Sequence, residues 1–418
     1  MAGMGRSIMN RTRQAHKQYS FFLGTLLCGY NLADKLYGAV YIVLMSMRGI
    51  DPLQISIVFA VSSLSLAVFD YPSGNLSDLY GRKKLTATGF IIWGAGLTVF
   101  AFAGNLAAFI VSAVVMSLGV ALISGSPQAW YLDKLEDLGM PDYKNIALPR
   151  LNGYVSAFAV VGALLASFTS NIHLYLPVAV AGAAAAGIGV YAWLRFSDNY
   201  GVRTQDSVFK EVYVTTAEFA GNKLMRFILF KSILSHAALL AFLLSWQVYG
   251  VNELGLPAGY LGGLLVLFMA VISLSSFCSS FLAKRKVRAV RIISGGLLLS
   301  AAGLLLAGLF AHPAVFFAGL VLYEFGLGLE SSLFSAWVQD FIPRGKRATF
   351  TSGLSALKSL AGFAITLLLG LAAERLGYTV IWIMGALSLI LSVAVLLIFN
   401  RKIVMADTAR AEAKTAAG

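Results

Sequence analysis

Twelve apolar runs, each about long enough for one membrane crossing, pass along this chain of 418 residues. A helix needs roughly 20 apolar residues to cross the hydrocarbon of a bilayer. The runs fall at about 19–47, 52–73, 85–103, 106–132, 148–169, 173–195, 224–250, 257–282, 291–311, 313–340, 350–373 and 377–400. Charged residues make up 12% of the chain and hydrophobic ones 58%, where a soluble globular domain carries about 25% charged. Water cannot surround that much apolar surface, so the expected solvent is lipid and the expected fold is all-α, integral to a membrane.

The charges then report topology. Lysine and arginine number 32 and the formal net charge is +13. With the first segment placed in the cytoplasm, 27 of them fall in cytoplasmic segments and two, Arg48 and Arg375, in outer ones. Lys35, Lys231 and Lys358 lie inside the runs. Positive residues gather on the cytoplasmic side of membrane proteins, so both termini are expected there. The basic excess is explained by anchoring, and no nucleic-acid partner is expected. Cys28 and Cys278 lie within apolar runs, without metal spacing or a disulfide framework. No cleavable leader pattern precedes the first run.

The longest polar interruption, 196–223, follows the sixth run. It divides the chain into a tail at 1–18, a six-helix bundle at 19–195, a cytoplasmic linker at 196–223, a second bundle at 224–400 and a tail at 401–418. The halves resemble each other. Leu76 to Gly89 lines up with Leu282 to Gly295 at an offset of 206, placing Arg82 on Arg288 and Gly89 on Gly295. Ala129-Trp130-x-x-Asp133 lines up with Ala336-Trp337-x-x-Asp340 at 207, and Gly153 and Gly162 with Gly353 and Gly362 at 200. Matches in one order at near-constant offset indicate duplicated halves. Trp130 and Trp337 are expected to anchor at the membrane interface.

Between the second and third runs stands Gly74-Asn75-Leu76-Ser77-Asp78-Leu79-Tyr80-Gly81-Arg82-Lys83-Lys84. It resembles the signature of the major facilitator superfamily, G-x-L-x-D-x-x-G-R-K/R-x, at that family's position. A degenerate copy follows the eighth run, with Lys284 in place of the acid and Val287 in place of the glycine. The resemblance extends to length, twelve spans and two pseudo-symmetric six-helix bundles. It implies alternating access around a central cavity. It also implies a cytoplasmic latch, to which Gly74, Asp78, Gly81 and Arg82 are assigned, with Asp70, Asp133 and Asp340 as further gate contacts. Asp70-Tyr71-Pro72-Ser73-Gly74 and Ser124 to Asp133 resemble stretches of prokaryotic members, with Gln128 replacing a usual glutamate. The sequence is similar to drug exporters but departs from their antiporter subfamily. The run 106–132 has no arginine, and Gly153 to Gly162 lacks the G-P-x-x-G-G proline.

Ionisable residues at the bilayer centre cost about 2.5–3.5 kcal/mol each by insertion scales, so they persist where they face a cavity, pair or carry protons. Asn31, Asp34 and Lys35 lie in the first run, Lys231 and His236 in the seventh, Glu324 and Glu330 in the tenth, and Lys358 in the eleventh. By the family resemblance the first, fourth, seventh and tenth helices line the cavity. Tyr30, Asp34, Tyr37 and Tyr41 are spaced by 4, 3 and 4, one face of a helix. An aromatic wall beside a carboxylate suits an organic cation, while the lysines suit an anion.

The expected function is secondary transport of a small organic solute, coupled to H+ through Asp34, Glu324 or Glu330, with export as the direction. Uptake or facilitated diffusion of a small charged metabolite is the alternative, and a non-transporting receptor or scaffold the remote one. No nucleotide-binding, metal or nucleophile motif is present, so neither an enzyme nor a cofactor is expected. A monomer in the cell membrane, multi-pass, completes the expectation.

Overall fold

The computed structural model describes residues 2–124, 126–140, 143–195, 221, 223–285, 287–338 and 347–416. Most of the proposed linker, 196–220 and 222, lies outside them. Every regular element among the described residues is a helix. In lipid no water satisfies the backbone, and a helix satisfies it internally. In chain order they are α1 (Ala2–Gly38), α2 (Tyr41–Met47), α3 (Pro52–Tyr80), α4 (Arg82–Phe102), α5 (Leu106–Ile123), α6 (Ser126–Asp137) and α7 (Lys144–Ser170). Then come α8 (Leu176–Arg195), α9 (Lys223–Val248), α10 (Tyr260–Lys284), α11 (Ala289–Leu309), α12 (Pro313–Val338), α13 (Arg347–Leu376) and α14 (Tyr378–Ala416). A π-helical turn, Tyr249–Glu253, extends α9.

Among the described residues, eleven segments are long and apolar enough to cross a membrane. They carry faces of large exposed apolar side chains, among them Phe168, Leu194, Phe277, Leu298 and Leu397. Such surface is stable only against lipid or a partner. The first run is the exception. It begins as α1, breaks at Ala39 and Val40, and resumes as α2. Asp34 and Lys35 lower its apolarity. Its helix also starts well before residue 19, because the segment read as a tail is helical from Ala2 and buries His16. The fourth run is likewise divided, into α5 and α6. Pro127 follows that break in the first turn of α6, where its missing N–H costs nothing.

The described residues group into two compact units. One draws on 1–50, 61–205 and 257–266, the other on 51–60, 206–256 and 267–418. In the first, α4 packs between α5 and α8 through small residues, which let membrane helices approach closely. A Cβ added at Gly89 would lie 2.9 Å from the Gly119 carbonyl oxygen, and one at Gly96 would lie 2.7 Å from the Met116 side chain. In the second unit α11 packs between α12 and α14 in the same way. A Cβ at Gly296 would lie 2.6 Å from the Gly326 oxygen, and one at Gly303 2.5 Å from the Tyr323 nitrogen.

Gly89 and Gly119 become Gly296 and Gly326, and Gly96 and Met116 become Gly303 and Tyr323, all at an offset of 207. The sequence alignment of Gly89 with Gly295 is therefore one residue out. Gly295 faces open space. The same offset of 207 relates Trp130 to Trp337 in the sequence, so one register serves both halves. Gly-rich sequence offered two adjacent candidates, and only the helix contact distinguishes them.

Arg48, one of the two basic residues assigned to the outer side, has a structural reason to be there. Its guanidinium donates to the carbonyls of Phe100, Ala101 (2.6 Å) and Ala103. These lie at the C-terminal end of α4, where backbone acceptors have no partner inside the helix and a cation offsets the helix dipole.

The shared register makes a direct prediction. Gly296→Ala should destabilise the detergent-purified protein by about 1–3 kcal/mol through overpacking. Gly295→Ala should leave the melting curve unchanged. Equal effects at the two positions would contradict the register.

Candidate functional site

In the first unit α3 and α4 are joined by a single residue, Gly81, at φ +98°. A left-handed backbone of that kind favours glycine, which is the physical reason for a glycine at this point of the signature. The turn starts α4 at Arg82, whose guanidinium donates to the Asp133 carboxylate on α6 at 2.5 Å. The Arg82 side chain is 8% exposed and that of Asp133 41%. The break between α5 and α6 is what carries Asp133 to this position. Among the latch residues expected from the sequence, Gly81, Arg82 and Asp133 are thus brought together. Asp70, Gly74 and Asp78 fall on α3, but their side chains lie outside the described residues, as does Asp340 altogether.

Trp130 does not anchor at a membrane interface. It is 1% exposed, with Tyr19 and Phe22 of α1 edge-on at 5.5 Å. Both residues belong to the apolar run that begins at 19. Trp337 is half-buried, near Phe334 and Phe399.

The tyrosine face of α1 survives the break after Gly38. Tyr30 stacks on Trp93 of α4 at 4.8 Å. Tyr37 meets Trp93 edge-on at 6.3 Å and Tyr41 at 5.6 Å. All three are half-buried, and the charge of Asp34 reaches each of them. Asp34 itself pairs with Lys35 at 2.8 Å, both partly exposed. Asn31 donates to the Leu27 carbonyl of its own helix. Trp93, fully buried at the base of this group, had no signal in the sequence because α4 is the third apolar run, and the third is not among the runs expected to line a cavity.

The second unit holds the remaining embedded charges. Lys231 on α9 and Glu330 on α12 form an ion pair with side chains 3% and 7% exposed. The Lys231 ammonium also lies 3.5 Å from the centre of the Phe334 ring, a cation–π contact. Phe227, Phe334, Trp337 and Phe399 line a small recess beside it. Glu324, two turns before Glu330 on α12, is 4% exposed. Among the described residues one of its carboxyl oxygens has no hydrogen-bond partner, and it takes part in no ion pair.

Lys358 of α13 is half-buried and takes part in no ion pair or hydrogen bond among the described residues. Gly362, one turn further along α13, faces His236 of α9: a Cβ there would sit 3.2 Å from the His236 Nε2. Lys358 shares that helix face. Its charge is felt at both His236 and Lys231. The structure therefore groups Lys231, His236, Glu330 and Lys358 in one unit. Asp34, Lys35 and the tyrosines form a separate group in the other.

Comparison with known proteins agrees with this architecture. The family model of the Major Facilitator Superfamily matches residues 22–366 and 253–416. An uncharacterized MFS-type transporter of Bacillus subtilis (strain 168), YxaM, is 26% identical over 148 residues. That match spans 35% of this chain and 36% of the relative, so the chain matches about a third of that relative's length. Among solved structures, a point mutant of the nucleoside transporter NupG superposes with a TM-score of 0.77 at 13% identity. The match covers 91% of this chain and 99% of that one. A POT family transporter in complex with a thioalcohol-conjugated peptide superposes at 0.72 and 13% identity, covering 92% and 96%. At such identity the structures share the fold alone.

The buried pair yields a double-mutant test. Lys231→Met or Glu330→Gln alone leaves a buried charge uncompensated and should cost about 3–5 kcal/mol of stability. Lys231→Met combined with Glu330→Met should recover most of the loss, since an apolar pair of similar volume replaces the ions. Additive losses in thermal or denaturant unfolding would show that the two do not act as a pair.

Proposed function

The chain belongs to the major facilitator superfamily, and from that premise we propose that it carries a small organic solute by alternating access, with Glu324 as the proton carrier. One observation supports the choice of Glu324. Of the three embedded acids considered in the sequence, Asp34 has Lys35 beside it and Glu330 has Lys231. Among the described residues Glu324 has no ion-pair partner, and one oxygen of its buried carboxyl has no hydrogen-bond partner. An isolated carboxylate there is expensive, whereas the neutral acid is not. A group in that position must take a proton when enclosed and can release it when water reaches it. That cycle is what coupling requires, and the paired acids are poorly suited to it because each neutralises a fixed cation.

Transport of a solute follows from the family, and the absence of hydrolytic motifs fits a carrier driven by a gradient. We take the direction to be export, in exchange for an entering proton, as the resemblance to efflux-like sequences implies.

Proteoliposomes loaded with a pH-sensitive dye test the reading, using solutes that raise the melting temperature of the purified protein. A solute gradient should move protons through the wild type. Glu324→Gln should abolish that movement yet retain solute–solute exchange, which needs no deprotonation. Proton movement undiminished in Glu324→Gln, or solute fluxes indifferent to an imposed pH gradient, would exclude this role. Opposed movement of solute and proton identifies export by exchange. Movement in the same direction identifies uptake.

A further inference from the structure

We propose that the transported solute is an organic anion, and that Lys358, with His236 one turn above it, forms its binding face within the second unit. The inference rests on the reading of the chain as a solute carrier and names the class of solute. It follows from which embedded charges are already matched. Asp34 and Lys35 cancel at 2.8 Å. Lys231 and Glu330 cancel as a buried pair. Glu324 is enclosed and has no ion-pair partner among the described residues. Lys358 is the embedded cation that no acid among the described residues matches.

Its surroundings are those of a receptor for an anion. Lys231 and His236 are five residues apart on α9, and Lys358 and Gly362 four apart on α13. His236 meets Gly362, so one helix turn toward the start of both helices brings Lys358 level with Lys231. Glu330 is engaged by Lys231, which leaves Lys358, the imidazole and the buried, unpartnered Ser232 hydroxyl, one turn before His236 on α9, as polar groups on this face among the described residues. Lys358 carries three donors and His236 one more, and neither makes a hydrogen bond to another described residue. Gly362 keeps the approach to His236 open, since a side chain there would press on Nε2. The aromatic–acid face of α1 is less suited to the opposite class, an organic cation, because Lys35 already neutralises Asp34.

An unmatched lysine within a span is costly. A carboxylate or phosphate brought by the solute supplies the missing partner, so binding gains a charge-assisted hydrogen bond at the site where the empty protein is least satisfied.

Thermal unfolding of the detergent-purified full chain tests this without reference to protons. Benzoate, succinate and inorganic phosphate serve as anionic probes, benzamide and succinamide as neutral counterparts, and tetraethylammonium as a cation. At least one anion should raise the melting temperature while its neutral counterpart and the cation do not. Lys358→Gln should weaken that stabilisation roughly ten- to a hundredfold in ligand concentration, and Lys358→Arg should retain most of it. Glu324→Gln should leave it intact, which separates this inference from the proton reading. Stabilisation by tetraethylammonium alone, by no anion, or equally in Lys358→Gln would overturn the anion site. Phosphatidylglycerol is added in a parallel series. A shift with that lipid and none with the soluble anions would assign Lys358 to a headgroup and likewise overturn a solute site.

Discussion

Lipid offers a charge no partner, and that constraint orders the interior of this protein. Each ionic group placed within a span must be closed by another, kept neutral, or held for something that arrives. Lys231 and Glu330 take the first course, buried together with Phe334 against the ammonium. Asp34 and Lys35 take it too, on consecutive residues of α1. Glu324 and Lys358 take neither, and they are the positions at which the chemistry of transport can be sought. The two have opposite needs: an enclosed acid wants a proton, and an unmatched ammonium wants an anion.

The same scarcity of partners explains the backbone. Helix ends are where acceptors are left over. Arg48 reaches the last carbonyls of α4 from a neighbouring loop, a use of charge that overrides the usual confinement of arginine to the cytoplasmic side. Close approach between helices comes from glycine rather than from burial of large side chains, because lipid tails are as apolar as leucine. The α4–α5 and α11–α12 pairs apply this in one register, with Gly89 against Gly119 and Gly296 against Gly326. Duplication is thus preserved where the contact tolerates no Cβ. It is lost where side chains have diverged: Arg82 on its one-residue turn meets Asp133, while the second half places Arg288 at a turn without that glycine.

Exchange of an outgoing anion for an entering proton has an electrical consequence. Under that proposal each cycle would carry net positive charge inward, and an inside-negative potential and an inward proton gradient would both drive it. Uptake of the same anion with one proton would be neutral. The arrangement of Glu324 and Lys358 in one unit is compatible with either cycle, and the sign of the current distinguishes them.

The membrane setting, the helical class, the signature turn at Gly81 and the twofold repeat were all legible in the amino-acid sequence, because each depends on local composition or short spacing. Apolar run length sets a span, and a positive φ demands glycine. The sequence also named the embedded charges, since a lysine in an apolar run stands out unaided. Pairing was beyond it. Lys231 and Glu330 are 99 residues apart, and nothing in their local spacing says that they, rather than Lys358 or Glu324, neutralise each other. The breaks at Ala39 and Ser124, the burial of Trp130 against Tyr19 and Phe22, Trp93 beneath the tyrosines and the choice of Gly296 over Gly295 were likewise settled by packing. Hydropathy records what a segment can bury and is silent on what it meets, and contacts between distant helices decide which charges remain open to a ligand.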